Sequence, residues 1–151
     1  MSLRDLAEIA FEIPGWPPIK NEALSLFSAG NKQFERVRSL LEAAAEASRQ
    51  TGWTVISGDI CLAVVVRAPS GRPPGDATNY LGGIGDVLQD KSKPVNLDLS
   101  HLGPLQAVAL YENDQQIQRV RYDVETADVP SYTVKVSALP GVQQLTAADP
   151  T

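Results

Sequence analysis

The chain has 151 residues, long enough to bury one core without staples, and its 43% hydrophobic and 21% charged content is that of a globular protein. A net charge of -5 argues against broad non-specific nucleic-acid binding, which depends on clustered Lys and Arg, but leaves room for a local basic face. A single cysteine, Cys61, and a single histidine, His101, exclude an intramolecular disulfide, a thiolate zinc site and a His-based metal cluster.

Ile9 to Ile13 reads as a short strand, ended by Pro14-Gly15-Trp16-Pro17-Pro18, where three prolines fix φ and remove ladder donors. Between Asn31 and Gln50, Phe34, Val37, Leu41, Ala44, Ala45 and Ser48 recur at helical spacing, and Gly52 stands where a C′ glycine stops a helix. Asp59 to Arg67 is continuous and β-branched, the pattern of a central strand buried on both faces, with Cys61 as a buried thiol. A turn-rich loop, Pro69 to Gly75, leads to Asp76, a suitable cap for a helix from Ala77 to Gln89 with Tyr80, Leu81, Ile84, Val87 and Leu88 on its apolar side. Gly82, Gly83 and Gly85 each cost that helix about 1 kcal/mol relative to Ala, which points to close backbone packing or a mobile helix.

After a polar loop from Asp90 to Gln106, three strands are expected: Ala107 to Tyr111, Gln116 to Glu125 and Ser131 to Ala138. In the second, Gln118, Val120, Tyr122 and Val124 alternate with Arg119 and Arg121 on the opposite face. Residues 1–140 form one domain and 141–151 a flexible tail. The fold class is α+β, a single mixed β-sheet with two main helices on one side. The charged N-terminus is unlike a signal peptide, and no run reaches the length of a membrane span, so a cytoplasmic protein without membrane contact is the expectation.

Asp76 and Asp86 open and close the second helix, and Asp114 sits in a polar break between strands. Three carboxylates meeting around one divalent cation would suit metal-assisted phosphodiester cleavage. Glu112, two residues from Asp114, would point to the same side of an extended backbone. Each residue also has an ordinary reading: Asp76 a helix cap, Asp86 a solvated carboxylate, Asn113-Asp114 a turn, and Arg119 with Arg121 a solvated sheet face.

In this order the segments resemble the RusA-like family of Holliday junction resolvases, over about Phe11 to Leu139. The resemblance rests on the proline-rich turn through Lys20-Asn21, the run Asp76-Ala77-Thr78-Asn79 leading to Asp86-Val87-Leu88, and Tyr111-Glu112-Asn113-Asp114-Gln115-Gln116-Ile117. Thr78, Gly82 and Asn113 depart from it, standing where the family has Asp, Lys and Asp. The resemblance implies a homodimeric, metal-dependent endodeoxyribonuclease acting on branched DNA. In that reading Asp76, Asp86 and Asp114 bind Mg²⁺ or Mn²⁺ and carry catalysis, Asn79 and Glu112 support them, and Lys20, Arg72, Arg119 and Arg121 meet phosphates. The three departures imply a weak or inactive site. The alternative is an inactive family member that serves as a dimeric binding or structural module.

Overall fold

The computed structural model describes residues 7–20, 33–91 and 100–140. The tail expected from residue 141, and parts of the expected first helix and of the 90–106 loop, lie outside them. The elements run β1 (Glu8–Pro14), α1 (Phe34–Thr51), β2 (Ile60–Ala68), α2 (Ala77–Val87), β3 (Ile117–Thr126) and β4 (Ser131–Ala138). The strands form one mixed sheet in the order β1-β4-β2-β3, with β2 and β3 parallel and the other pairs antiparallel. The fold is therefore α+β, as the alternation of patterns implied.

Register sets which residues share a face. Ile9, Phe11 and Ile13 lie beside Val136, Val134 and Tyr132, which lie beside Leu62, Val64 and Val66 in turn. This face packs with Val37, Leu40, Leu41 and Ala44 of α1 and Tyr80, Ile84 and Val87 of α2 in one core. The other face is open: Glu8, Ala10, Glu12, Lys135, Arg119, Arg121, Asp123 and Glu125 are exposed. β2 is thus buried on one face and half-buried on the other, where Cys61 lies, rather than buried on both.

Gly52 closes α1 in the left-handed region at φ 70°, with Trp53 N–H donating to Ser48 O at 3.0 Å. Trp53 is anchored to the core by its indole N–H, which donates to Leu110 O at 3.0 Å. The strand expected over Ala107–Tyr111 is not part of the sheet. Ser100–Ala107 is a kinked 3-10 segment, and Tyr111 makes only isolated bridges to Ile56 and Gln89. Leu110 and Tyr111 are buried there in a loop, with Val108 and Ala109 half-buried and Ala107 exposed, and the Lys91 ammonium donates to Val108 O and Gln89 O. Among the described residues no helix is long and apolar enough to cross a membrane.

Candidate functional site

After β1 the chain crosses α2 as an extended strap ending at Lys20. The strap is pinned from α1 and its lead-in: Gln33 Nε2 donates to Ile19 O at 2.7 Å, and Arg36 donates to Pro17 O at 3.3 Å. Lys20 N–H donates to Asn79 O of α2 at 3.2 Å. The helix glycines permit this contact. A Cβ on Gly83 would lie 2.1 Å from Pro18 O, and one on Gly82 would lie 3.2 Å from Lys20 Cδ. Lys20 therefore lays its aliphatic chain over Gly82 and brings Nζ to 3.6 Å from Asp86 Oδ2. Residues four apart on a helix are neighbours, so a lysine at position 82 would serve the same carboxylate. Lys20 thus brings a positive charge across space to the carboxylate beside position 82.

The two glycines predict opposite tolerances. Gly83→Ala drives a Cβ into backbone and should lower the unfolding free energy by about 1–3 kcal/mol. Gly82→Ala meets only a flexible side chain and should change it by less than about 1 kcal/mol, because the gain in helix propensity offsets the crowding. Urea denaturation of both variants checks the contrast.

Asp114 reaches the site through a loop organised by Gln116. The Gln116 amide is 8% exposed; its Oε1 accepts from Glu112 N–H at 2.7 Å and Asn113 N–H at 2.9 Å. Its Nε2 donates to Ile56 O at 2.9 Å and Gly58 O at 2.8 Å. Asn113 caps the short 3-10 turn Asp114–Gln116, accepting from Gln115 N–H at 2.9 Å, and Asp114 N–H donates to Gln89 Oε1 at 3.1 Å, just beyond α2. Tyr111 completes the tie by donating its buried hydroxyl to Gly85 O at 2.7 Å. Because the backbone bends at Glu112 and turns at Asp114, the extended run that would point both carboxylates one way is absent.

These ties place the Asp114 carboxylate against that of Asp86, within reach of a hydrogen bond when one is protonated. Burial, and then the neighbouring Asp114 charge, push the Asp86 pKa above the usual carboxylate value, with Lys20 acting in the opposite direction. Asp86 thus binds a proton in the folded chain at a pH where the unfolded chain has released it. Its contribution to stability is fully present below the ordinary carboxylate pKa of 3.8 and is lost as pH rises through the raised folded value. In metal-free protein, Asp86→Asn should raise the melting temperature at pH 7 and flatten the melting profile across that window. Calorimetry at a series of pH values measures both effects.

Asp76 stands apart. It caps α2, accepting on Oδ1 from Asn79 N–H at 2.9 Å and from the Thr78 hydroxyl at 3.0 Å. The Asn79 N–H and then the Thr78 hydroxyl hold its pKa below the usual carboxylate value. Ten helical residues separate Asp76 from Asp86, an axial rise of about 15 Å. Oxygens sharing one Mg²⁺ lie within about 4 Å of each other. The three carboxylates expected around one cation therefore do not meet: Asp86 and Asp114 do, and Asp76 does not. Among the described residues no group of three or more His, Cys, Asp or Glu side chains is placed to hold a metal ion.

No protein-family model and no curated protein matches this chain.

The remaining expected site residues are dispersed. Arg72 is exposed in the loop before α2, its N–H donating to Pro69 O at 3.2 Å. Arg119 and Arg121 lie on the open face of β3, the side of the sheet away from the helices, in a row continued by Asp123 and Glu125. Asn79 supports the cap through Asp76 and the strap through Lys20 N–H. Gln116, Tyr111 and Gln89, which hold Asp114 in place, carry no charge that marks them in the sequence. A glutamine beside an Asn-Asp turn, followed by a strand, was the one signal of them.

Proposed function

We propose that Asp86, Asp114 and Lys20 form the working site of a RusA-like, divalent-cation-assisted endodeoxyribonuclease acting on branched DNA, with a reduced carboxylate set and correspondingly slow turnover. The observation that carries this reading is the pairing of two carboxylates beside an ammonium laid over Gly82. Two like charges held together with one partly buried are a strained arrangement without a cation. Mg²⁺ usually takes one or two protein carboxylates and keeps several waters, so the pair fits its donor preference. Such an ion, when bound, lowers the pKa of an attacking water and neutralises charge at a phosphodiester. Asp86 and Asp114 would bind and orient it, and Lys20 would offer its ammonium to the phosphate oxygens as negative charge grows there. Arg72, exposed at the head of α2, would meet flanking phosphates. Arg119 and Arg121 are followed on the same face of β3 by Asp123 and Glu125, and a row that is half acidic makes a poor track for a polyanion.

A second reading, an inactive family member that acts as a dimeric binding or structural module, is favoured by the separation of Asp76 from the other two carboxylates. A labelled four-way junction incubated with purified protein and Mg²⁺ or Mn²⁺ separates the two. Cleavage that persists in Asp76→Asn and disappears in Asp86→Asn supports the nuclease at the proposed pair. Junction binding without cleavage supports the binding module, and the absence of both removes the DNA reading.

A further inference from the structure

We propose that β3 is a self-pairing edge: two copies of this chain join β3 to β3, antiparallel, about a two-fold axis through Tyr122. Three observations on one strand carry this. The first is the edge itself. β3 pairs with β2 on one side, and among the described residues nothing pairs with the other. It is ten residues long and contains no Pro, and past the irregularity at its start, where Gln118 is skipped, its register with β2 is unbroken from Arg119 to Thr126. The edge at β1, by contrast, ends in Pro14.

The second is an uncovered apolar strip. Val120, Tyr122 and Val124 lie in register beside Leu62, Val64 and Val66, on the face the helices cover. Leu62 and Val66 are 1% and 0% exposed, whereas Val120 and Val124 are 54% and 39% exposed. The helical layer stops one strand short of the sheet edge. An antiparallel partner about an axis normal to the sheet would place its own strip on the same side and join the two into one continuous apolar band.

The third decides the occupant. The segment Arg119-Val120-Arg121-Tyr122-Asp123-Val124-Glu125 is complementary to itself when reversed. With Tyr122 opposite Tyr122, Arg121 faces Asp123 and Arg119 faces Glu125 across the axis, each pairing occurring twice by symmetry, and Val120 faces Val124. No neighbouring register does this. Centring on Arg121 or on Asp123 sets like charges directly opposite, and a shift by one residue sets charged side chains against the apolar strip. A parallel arrangement places Arg on Arg and Asp on Asp. In the single chain Arg121 meets Asp123 at 3.7 Å in an exposed contact, Glu125 meets the half-buried Arg67 at 3.4 Å, and Arg119 has no ion pair among the described residues. The outcome is one eight-stranded sheet with both helical layers on the same side. It is independent of the chemistry at Asp86 and Asp114, since it is tested without DNA or metal.

Sedimentation equilibrium over a concentration series should give twice the 16.2 kDa chain mass for the wild type. The double variants Arg119→Glu/Arg121→Glu and Asp123→Lys/Glu125→Lys carry strands of a single sign; each alone should associate at least about 10-fold more weakly, and their mixture should recover a heterodimer. Tyr122→Cys in a Cys61→Ser background places two thiols opposite each other on the axis and should oxidise to a covalent dimer. This last arm does not depend on how the charge variants fold. A wild type that stays monomeric, as it would if another segment of the chain covered this edge, overturns the proposal. So does a dimer that survives both charge reversals, a mixture that does not associate, or a Tyr122→Cys variant that fails to cross-link.

Discussion

Replacing Gln116 with alanine should lower the free energy of unfolding by about 3–5 kcal/mol, the largest stability loss expected from any polar substitution among the described residues. One amide makes four hydrogen bonds here, two accepted from Glu112 and Asn113 N–H and two donated to Ile56 and Gly58 carbonyls. Each bond contributes a net of about 0.5–1.5 kcal/mol, and the partners left behind in a largely dry pocket lose their solvation as well. Gln116→Glu should not rescue, because its carboxylate would face the Ile56 and Gly58 carbonyls with no donor to offer. Gln118→Ala, on the exposed strand nearby, should stay within about 0.5 kcal/mol of wild type. Chemical denaturation of the three variants checks the order. A loss at Gln116 no larger than at Gln118 would show that the loop holds Asp114 by other means.

Asp86→Asn and Asp114→Asn should each reduce cation-dependent cleavage of a four-way junction by at least about 100-fold. Among the described residues these side chains are the two carboxylates the proposed site offers to the cation, so removing either halves the protein charge that holds it. Asp86→Asn should do so while raising thermal stability without metal, since it relieves the like-charge pair. That opposition between activity and stability separates a functional carboxylate from a structural one, whose removal lowers both. Asp76→Ser, which keeps a capping oxygen at the head of α2, should retain cleavage within a few-fold. A loss at Asp76→Ser as large as at Asp86→Asn would mean that Asp76 joins the reaction despite its distance. Initial rates on a labelled junction at saturating Mn²⁺ give the comparison.

The pattern of residues carried the strands and helices well where periodicity was long. The alternation in Ser131–Ala138 and the helical spacing after Phe34 each identify one buried face, and both elements form. Ala107–Tyr111 does not form the expected strand, because a short apolar run is equally consistent with a strand and with a partly buried loop. The helical distance from Asp76 to Asp86 was legible from the outset: ten residues on one helix span about 15 Å, whichever way the side chains turn. Other features were not legible, because they join residues far apart in sequence. Gln116 finds its carbonyl partner at Ile56, 60 residues earlier, and Lys20 finds Gly82 across the strap. The glycines of α2, costly as local choices, make sense only once Pro18 O is seen against Gly83. The exposed strip on β3 was likewise invisible, since alternation marks a face but not whether a helix reaches far enough to cover it.

The proposed cation seat lies at Asp86 and Asp114 and excludes Asp76. Substoichiometric Mn²⁺ added to isotopically labelled protein tests it directly, because the paramagnetic ion broadens resonances steeply with proximity. Broadening strongest at Asp86, Asp114 and Gln89, and falling off along α2 toward Asp76, is the predicted result. Broadening centred on Asp76, or none at any carboxylate, would contradict it.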